Sequence, residues 1–129
     1  MRTRPIALLL GSAGLALSLA ACGGSNGGNS SSSTPSDVDL VITATQAITW
    51  SEQDVAAAAG DVTIELKNVS SIPHNLYIIA ADGTENPKHL TSAGNGDDPT
   101  ETVSLAAGTY TIICKIPGHT NMKATLTVN

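Results

Sequence analysis

The chain contains no phenylalanine, and Trp50, Tyr77 and Tyr110 are its only aromatic residues. A core built from this sequence must therefore rest on Val, Ile, Leu and Ala. Basic residues are also scarce: there are six Lys and Arg, and Arg2 and Arg4 sit at the extreme amino terminus. Without those two, four basic residues face eleven acidic ones, a formal charge of −7 with His neutral. That balance argues against nucleic acid as a partner and suits solubility or a partner with a basic face. No stretch reads as a convincing long helix. Cysteine is confined to Cys22 and Cys114, which leaves little scope for a disulfide framework.

The amino terminus reads as an export signal. A short basic start, Met1-Arg2-Thr3-Arg4, precedes a run from Ile6 to Ala21 that is apolar or small throughout. That run is short for a spanning helix, which needs about 20 residues. It ends in Leu19-Ala20-Ala21-Cys22, which resembles the bacterial lipobox. The resemblance implies cleavage between Ala21 and Cys22, lipidation of the Cys22 thiol, and a mature protein held outside the cytoplasm, in the periplasm or at the cell surface, by acyl chains. Residues 22–36 then form the lipidated Cys and a flexible Gly/Ser/Asn linker with no apolar residue between Gly23 and Thr34. Twelve residues of this kind span roughly 20 Å on average. Residues 37–129 remain as a single domain.

In that domain the periodicity is that of strands. Val38, Leu40 and Ile42 alternate with Asp39, Val41 and Thr43, and Val62, Ile64 and Leu66 alternate with Thr63, Glu65 and Lys67. Between them, Val55 to Gly60 is compatible with a turn of helix, a loop or a strand. Asn68 to Pro73 is a polar turn leading into a strand that starts at His74, with His74, Leu76 and Ile78 on the inward face. Ala81 to Thr100 reads as surface loop, with His89 a solvated side chain. Val103 and Leu105 lie in a further strand, and Tyr110, Ile112 and Cys114 share a face of the next. Several short strands separated by turn signals indicate an all-β antiparallel sandwich.

The loop between the last two strands carries the chemistry. Cys114-Lys115-Ile116-Pro117-Gly118-His119-Thr120-Asn121-Met122 places a thiolate, an imidazole and a thioether at spacing C-x4-H-x2-M. Soft sulfur ligands favour copper, and two His, one Cys and a weak axial Met form the blue-copper donor set. His74 is the candidate for the second imidazole. A lone inward His is ordinarily satisfied by a hydrogen bond, but set beside this loop it reads as a ligand. Cys114, the one thiol left once Cys22 is lipidated, would be open to oxidation in an exported domain unless a metal occupies it.

From Asp37 to Asn129 the chain resembles the cupredoxins, the small blue copper proteins with a Greek-key β-sandwich. The resemblance is carried by Gly60-Asp61, Pro73-His74-Asn75, Gly108-Thr109-Tyr110 and the ligand loop. Cys114 to His119 looks like the azurin and auracyanin loop, whereas His119 to Met122 has the short spacing seen in amicyanins. Ala124 stands where a Gly is usual. The resemblance implies one mononuclear type 1 copper held by His74, Cys114, His119 and Met122. It also implies that Asn75 ties the two ligand segments together, with the Asn75 and Ile116 N–H groups donating to the Cys114 sulfur. His119 would lie near the surface among Ile72, Pro73, Ile116 and Pro117, an apolar rim for brief docking of a redox partner.

These features fit a membrane-anchored, monomeric electron carrier cycling Cu(I) and Cu(II). Copper delivery or storage is the alternative; one Cys, a compact loop and no Met- or His-rich tail favour a retained metal. A metal-free interaction domain is disfavoured because all four ligands are present. An enzyme is disfavoured because no third group orients a Cys114–His119 pair. Zinc is disfavoured because Met is not a usual zinc ligand.

Overall fold

The computed structural model describes residues 37–129. The expected signal (1–21), the lipidation site Cys22 and the linker (22–36) lie outside the described residues. Eight strands follow one another: β1 Leu40–Ala44, β2 Asp54–Ala57, β3 Gly60–Asn68, β4 His74–Ala80, β5 Leu90–Ser92, β6 Thr100–Leu105, β7 Gly108–Ile113 and β8 Lys123–Val128. β1, β4 and β8 bury alternate residues, as in β8, where Ala124, Leu126 and Val128 are buried and Lys123, Thr125 and Thr127 are exposed. A period of two is what a strand with one wet and one dry face requires.

The strands form two sheets, one ordered β1-β3-β6 and the other β2-β8-β7-β4-β5. The chain changes sheet at every connection except β4–β5 and β7–β8. The inner faces meet in one aliphatic core that includes Ile42, Ile64 and Leu66 from the first sheet and Leu76, Ile78, Ile112 and Leu126 from the second. Each such side chain contributes about 1.5–3 kcal/mol on burial. Trp50, in the β1–β2 connection, supplies the one large aromatic body in this core. The sandwich is as expected, and its sheets are mixed rather than wholly antiparallel. β1 runs parallel to β3, and β2 parallel to β8. Alternation reports which face a residue occupies but carries no information on the direction of the neighbouring strand.

Two segments left open or read as loop are strands. Asp54–Ala57 extends along β8, so tertiary pairing decides against the helical preference of its alanines. Leu90–Ser92, inside the stretch expected to be surface loop, pairs with the start of β4 and sets Ser92 opposite His74. β7 and β8 pair from Gly108↔Val128 to Ile113↔Lys123, so the ligand loop is the connection of this hairpin. The sandwich thus presents the head of β4 and the β7–β8 loop at one end.

Candidate metal centre

His74, Cys114 and His119 come together although they are distant in sequence. Each offers one ligand atom, these atoms all lie within 4.8 Å of one another, and all three residues are buried. His74 is placed by the first residue of β4, on the face that also buries Leu76 and Ile78. Its ring centroid lies 4.8 Å from that of His119 and 6.4 Å from that of Trp50. Burial, and next to it the His119 ring, hold His74 below the ordinary imidazole pKa, so its neutral form is favoured. Nε2 of His74 lies 3.1 Å from Ser70 Oγ, whereas Nδ1 is buried and has no hydrogen-bond partner. A bare, buried imidazole nitrogen beside a thiol is what a metal ligand looks like before its metal is considered.

The loop residues are held from below. The Cys114 N–H donates to the Met122 carbonyl at 3.2 Å, closing the base of the loop one step beyond the last sheet pair. Above it the His119 N–H donates to the Ile116 carbonyl and the Met122 N–H to the His119 carbonyl, two tight turns in succession. Gly118, inside the first of them, has φ +90°, a region where a side chain is strained. These turns aim the His119 ring inward, with Nδ1 3.5 Å from Cys114 Sγ. Met122 is fully buried at the foot of the loop.

Asn75 makes the expected tie: its Oδ1 accepts the Lys115 N–H at 2.7 Å and so links the residue after His74 to the residue after Cys114. Among the described residues the hydrogen-bond partner found for Sγ is His119 Nδ1, and not the Asn75 or Ile116 N–H groups expected to donate to it. Ile116 contributes through its carbonyl instead, because the turn points that group at the His119 N–H. His119 is 8% exposed, with Ile72 and Ile116 half-buried and Pro73 and Pro117 exposed. His89 is exposed, as expected, but it is not merely solvated. Its ring stacks on Tyr77 at 4.5 Å, and Lys115 Nζ lies 4.4 Å from the same Tyr77 ring.

Sequence reasoning missed the polar residues behind His74. Asn68, Ser70 and Ser92 are buried and hydrogen-bonded to one another or to His74. Asn68-Val69-Ser70-Ser71 has the composition of a surface turn, so only burial distinguishes it from one. The donor set itself excludes hard cations, since it holds no carboxylate, and two imidazoles with a thiolate suit copper.

Comparison with known proteins agrees. The family of copper binding proteins of the plastocyanin/azurin type matches residues 36–129. Among solved structures, auracyanin A, a "blue" copper protein from the green thermophilic photosynthetic bacterium Chloroflexus aurantiacus, is 25% identical. The match covers 71% of this chain and 98% of that one, with a TM-score of 0.56. A purple cupredoxin from Nitrosopumilus maritimus is 24% identical over 70% of this chain and all of its own, with a TM-score of 0.53. A Cu(I) amicyanin variant is 18% identical over 74% of this chain and 95% of its own, with a TM-score of 0.53. Among curated protein sequences none matches. The fold and site define a cupredoxin. The chain belongs to the plastocyanin/azurin family of copper binding proteins, and its cofactor is one type 1 copper.

Proposed function

We propose that this protein is an extracytoplasmic one-electron carrier, anchored to a bacterial membrane through lipid on Cys22, whose copper is held by His74, Cys114, His119 and Met122. The observation that supports the carrier reading most is the buried cluster of His74, Cys114 and His119, whose ligand atoms all lie within 4.8 Å of one another and leave a pre-formed three-donor site at one end of the sandwich. When bound, copper supplies a Cu(I)/Cu(II) couple, tuned by its ligands. The chain's own residues keep that couple fast by not moving. His74 is fixed by β4, Cys114 and Met122 by the closed base of the β7–β8 hairpin, and Asn75 locks the two together. His119, whose edge reaches the surface, brings the site within reach of a docking protein, and the net negative charge favours a basic face on that partner.

The test is spectroscopic. The chain from residue 22 onward, carrying Cys22→Ser so that it stays in solution, is mixed with Cu(II). An intense thiolate-to-copper band that bleaches on reduction is expected; a colourless adduct would favour delivery or storage instead. The anchor is tested in cells, where Cys22→Ser is expected to move the protein from the membrane to the soluble fraction. Unchanged sedimentation with membranes would mean that Cys22 is not the anchor.

A further inference from the structure

His74 has two ring nitrogens, and the site needs the one without a proton to face the metal. We propose that Ser70 is the positioning residue that makes this choice, as the last link of a hydrogen-bond chain of fixed polarity running through Asn68 and Ser92. This inference rests on the copper reading above for its purpose, but not for its geometry.

The polarity follows from counting protons. Asn68 uses its side-chain NH2 on the Ile72 carbonyl and on Ser92 Oγ, each at 3.0 Å. Its Oδ1 accepts the Ser70 N–H at 3.0 Å and lies 2.7 Å from Ser70 Oγ. Two oxygens that close need a proton between them, and an amide oxygen has none, so Ser70 supplies it. The other acceptor near Ser70 Oγ, the Ile72 carbonyl at 3.1 Å, is again an oxygen. Either way the single Ser70 hydroxyl proton is spent, and Oγ meets His74 Nε2, 3.1 Å away, with a lone pair. The ring must therefore donate from Nε2. A neutral imidazole carries one proton, so Nδ1 is bare; it is buried and, like Trp50 Nε1, has no hydrogen-bond partner among the described residues.

Reversing the chain is blocked at both ends by main-chain groups that cannot rotate. Turning the Asn68 amide over would set its NH2 against the Ser70 N–H and its oxygen against the Ile72 carbonyl. At the far end Ser92 Oγ donates to the Asp97 carbonyl and accepts the Gly94 N–H. His74, Ser70, Asn68 and Ser92 are all buried, so water is not available to replace a lost partner. The ligand nitrogen is thus selected by the fold, and the ring needs neither a new tautomer nor a new rotamer when a metal arrives.

The tautomer is read in the 15N-labelled, copper-free protein by long-range proton–nitrogen correlation, at about pH 8, above the imidazole range. His74 is expected as a single form, protonated on Nε2, with a slowly exchanging N–H; exposed His89 serves as the internal comparison. A His74 ring protonated on Nδ1, or a mixture like that of His89, overturns the proposal with no variant needed. In Ser70→Ala the protected Nε2–H signal is expected to disappear and copper affinity to fall by about tenfold to a hundredfold. Ser70→Thr, which keeps the hydroxyl, is expected to restore both. A Ser70→Ala protein that keeps the protected signal, with copper affinity within about twofold of wild type, overturns it too. If Ser70→Ala does not fold, the wild-type tautomer decides. Failure of the wild-type protein to bind copper would sink the copper reading alone, because the tautomer is measured without copper.

Discussion

Met122 has no exposed surface, and its carbonyl accepts the Cys114 N–H, so its backbone holds the hairpin whatever its sulfur does. The role of the thioether is therefore separable by substitution. A weak axial sulfur contributes little to retaining copper but favours Cu(I), whereas an oxygen donor favours Cu(II). Met122→Gln is expected to keep copper and colour and to lower the reduction potential, while Cys114→Ser abolishes the intense band. Voltammetry decides: an unchanged potential in Met122→Gln would make Met122 a core side chain only. At His74 the same scale yields a pH dependence. Its pKa is lowered by burial first and by His119 second, so the fold favours the neutral ring. The stability this contributes is complete above the unfolded imidazole pKa of about 6.5 and is lost as pH falls through and below it. The copper-free protein should therefore melt lower at about pH 5.5 than at about pH 7.5. If His74→Asn leaves that pH difference unchanged, His74 is not its source. The cluster of His74, Cys114 and His119 was legible because Cys and His have few other reasons to stand at this spacing; Ser70 was not, because a serine in a polar turn resembles every other.

Among the elements, the connection between β3 and β4 matters most to the site, since it carries Ser70 and delivers His74. It is held from two sides. Gln46 Oε1 accepts the Ser71 N–H, and Gly94 packs directly beneath. Gly94 has φ +102°, and a Cβ there would lie 3.0 Å from the Ile72 carbonyl oxygen and 3.0 Å from the Ser71 carbonyl carbon. Both are main chain and cannot swing aside. Gly94→Ala is expected to cost about 1–3 kcal/mol, from left-handed backbone strain together with displacement of residues 71–72. A lowered urea midpoint accompanied by a shifted copper band supports this; an unchanged midpoint rules it out. That the 81–100 stretch contains β5 was not readable, because three residues of sheet bury only Leu90 and Ser92 and leave almost no periodic signal.

For the whole molecule, copper joins elements that the chain brings together only on folding. His74 belongs to β4, and Cys114 and His119 to the β7–β8 connection, so these ligands come together only in the native state. A ligand that binds only the folded form stabilises it by mass action, by about 4 kcal/mol at a thousandfold excess over Kd. For a domain of this size each kcal/mol raises Tm by about 4–8 °C. Copper-loaded protein should thus melt at least about 15 °C above the copper-free form. Equal midpoints in calorimetry would exclude a tight, pre-formed site.

What the amino-acid sequence determined by itself is whatever depends on residue type and on spacing along one segment. That covers the soft donor set of the loop, the inward face of each long strand, and an aliphatic core forced by the lack of phenylalanine. Tertiary structure alone decided what depends on a neighbour from elsewhere in the chain. It set the parallel pairing of β1 with β3 and β2 with β8, turned Asp54–Ala57 into a strand, and directed the Ile116 carbonyl at the His119 N–H. It also buried Asn68, Ser70 and Ser92 behind His74. The physical reason is the same in each case: a hydrogen bond has a direction and a partner, and a sequence records only which groups are able to make one.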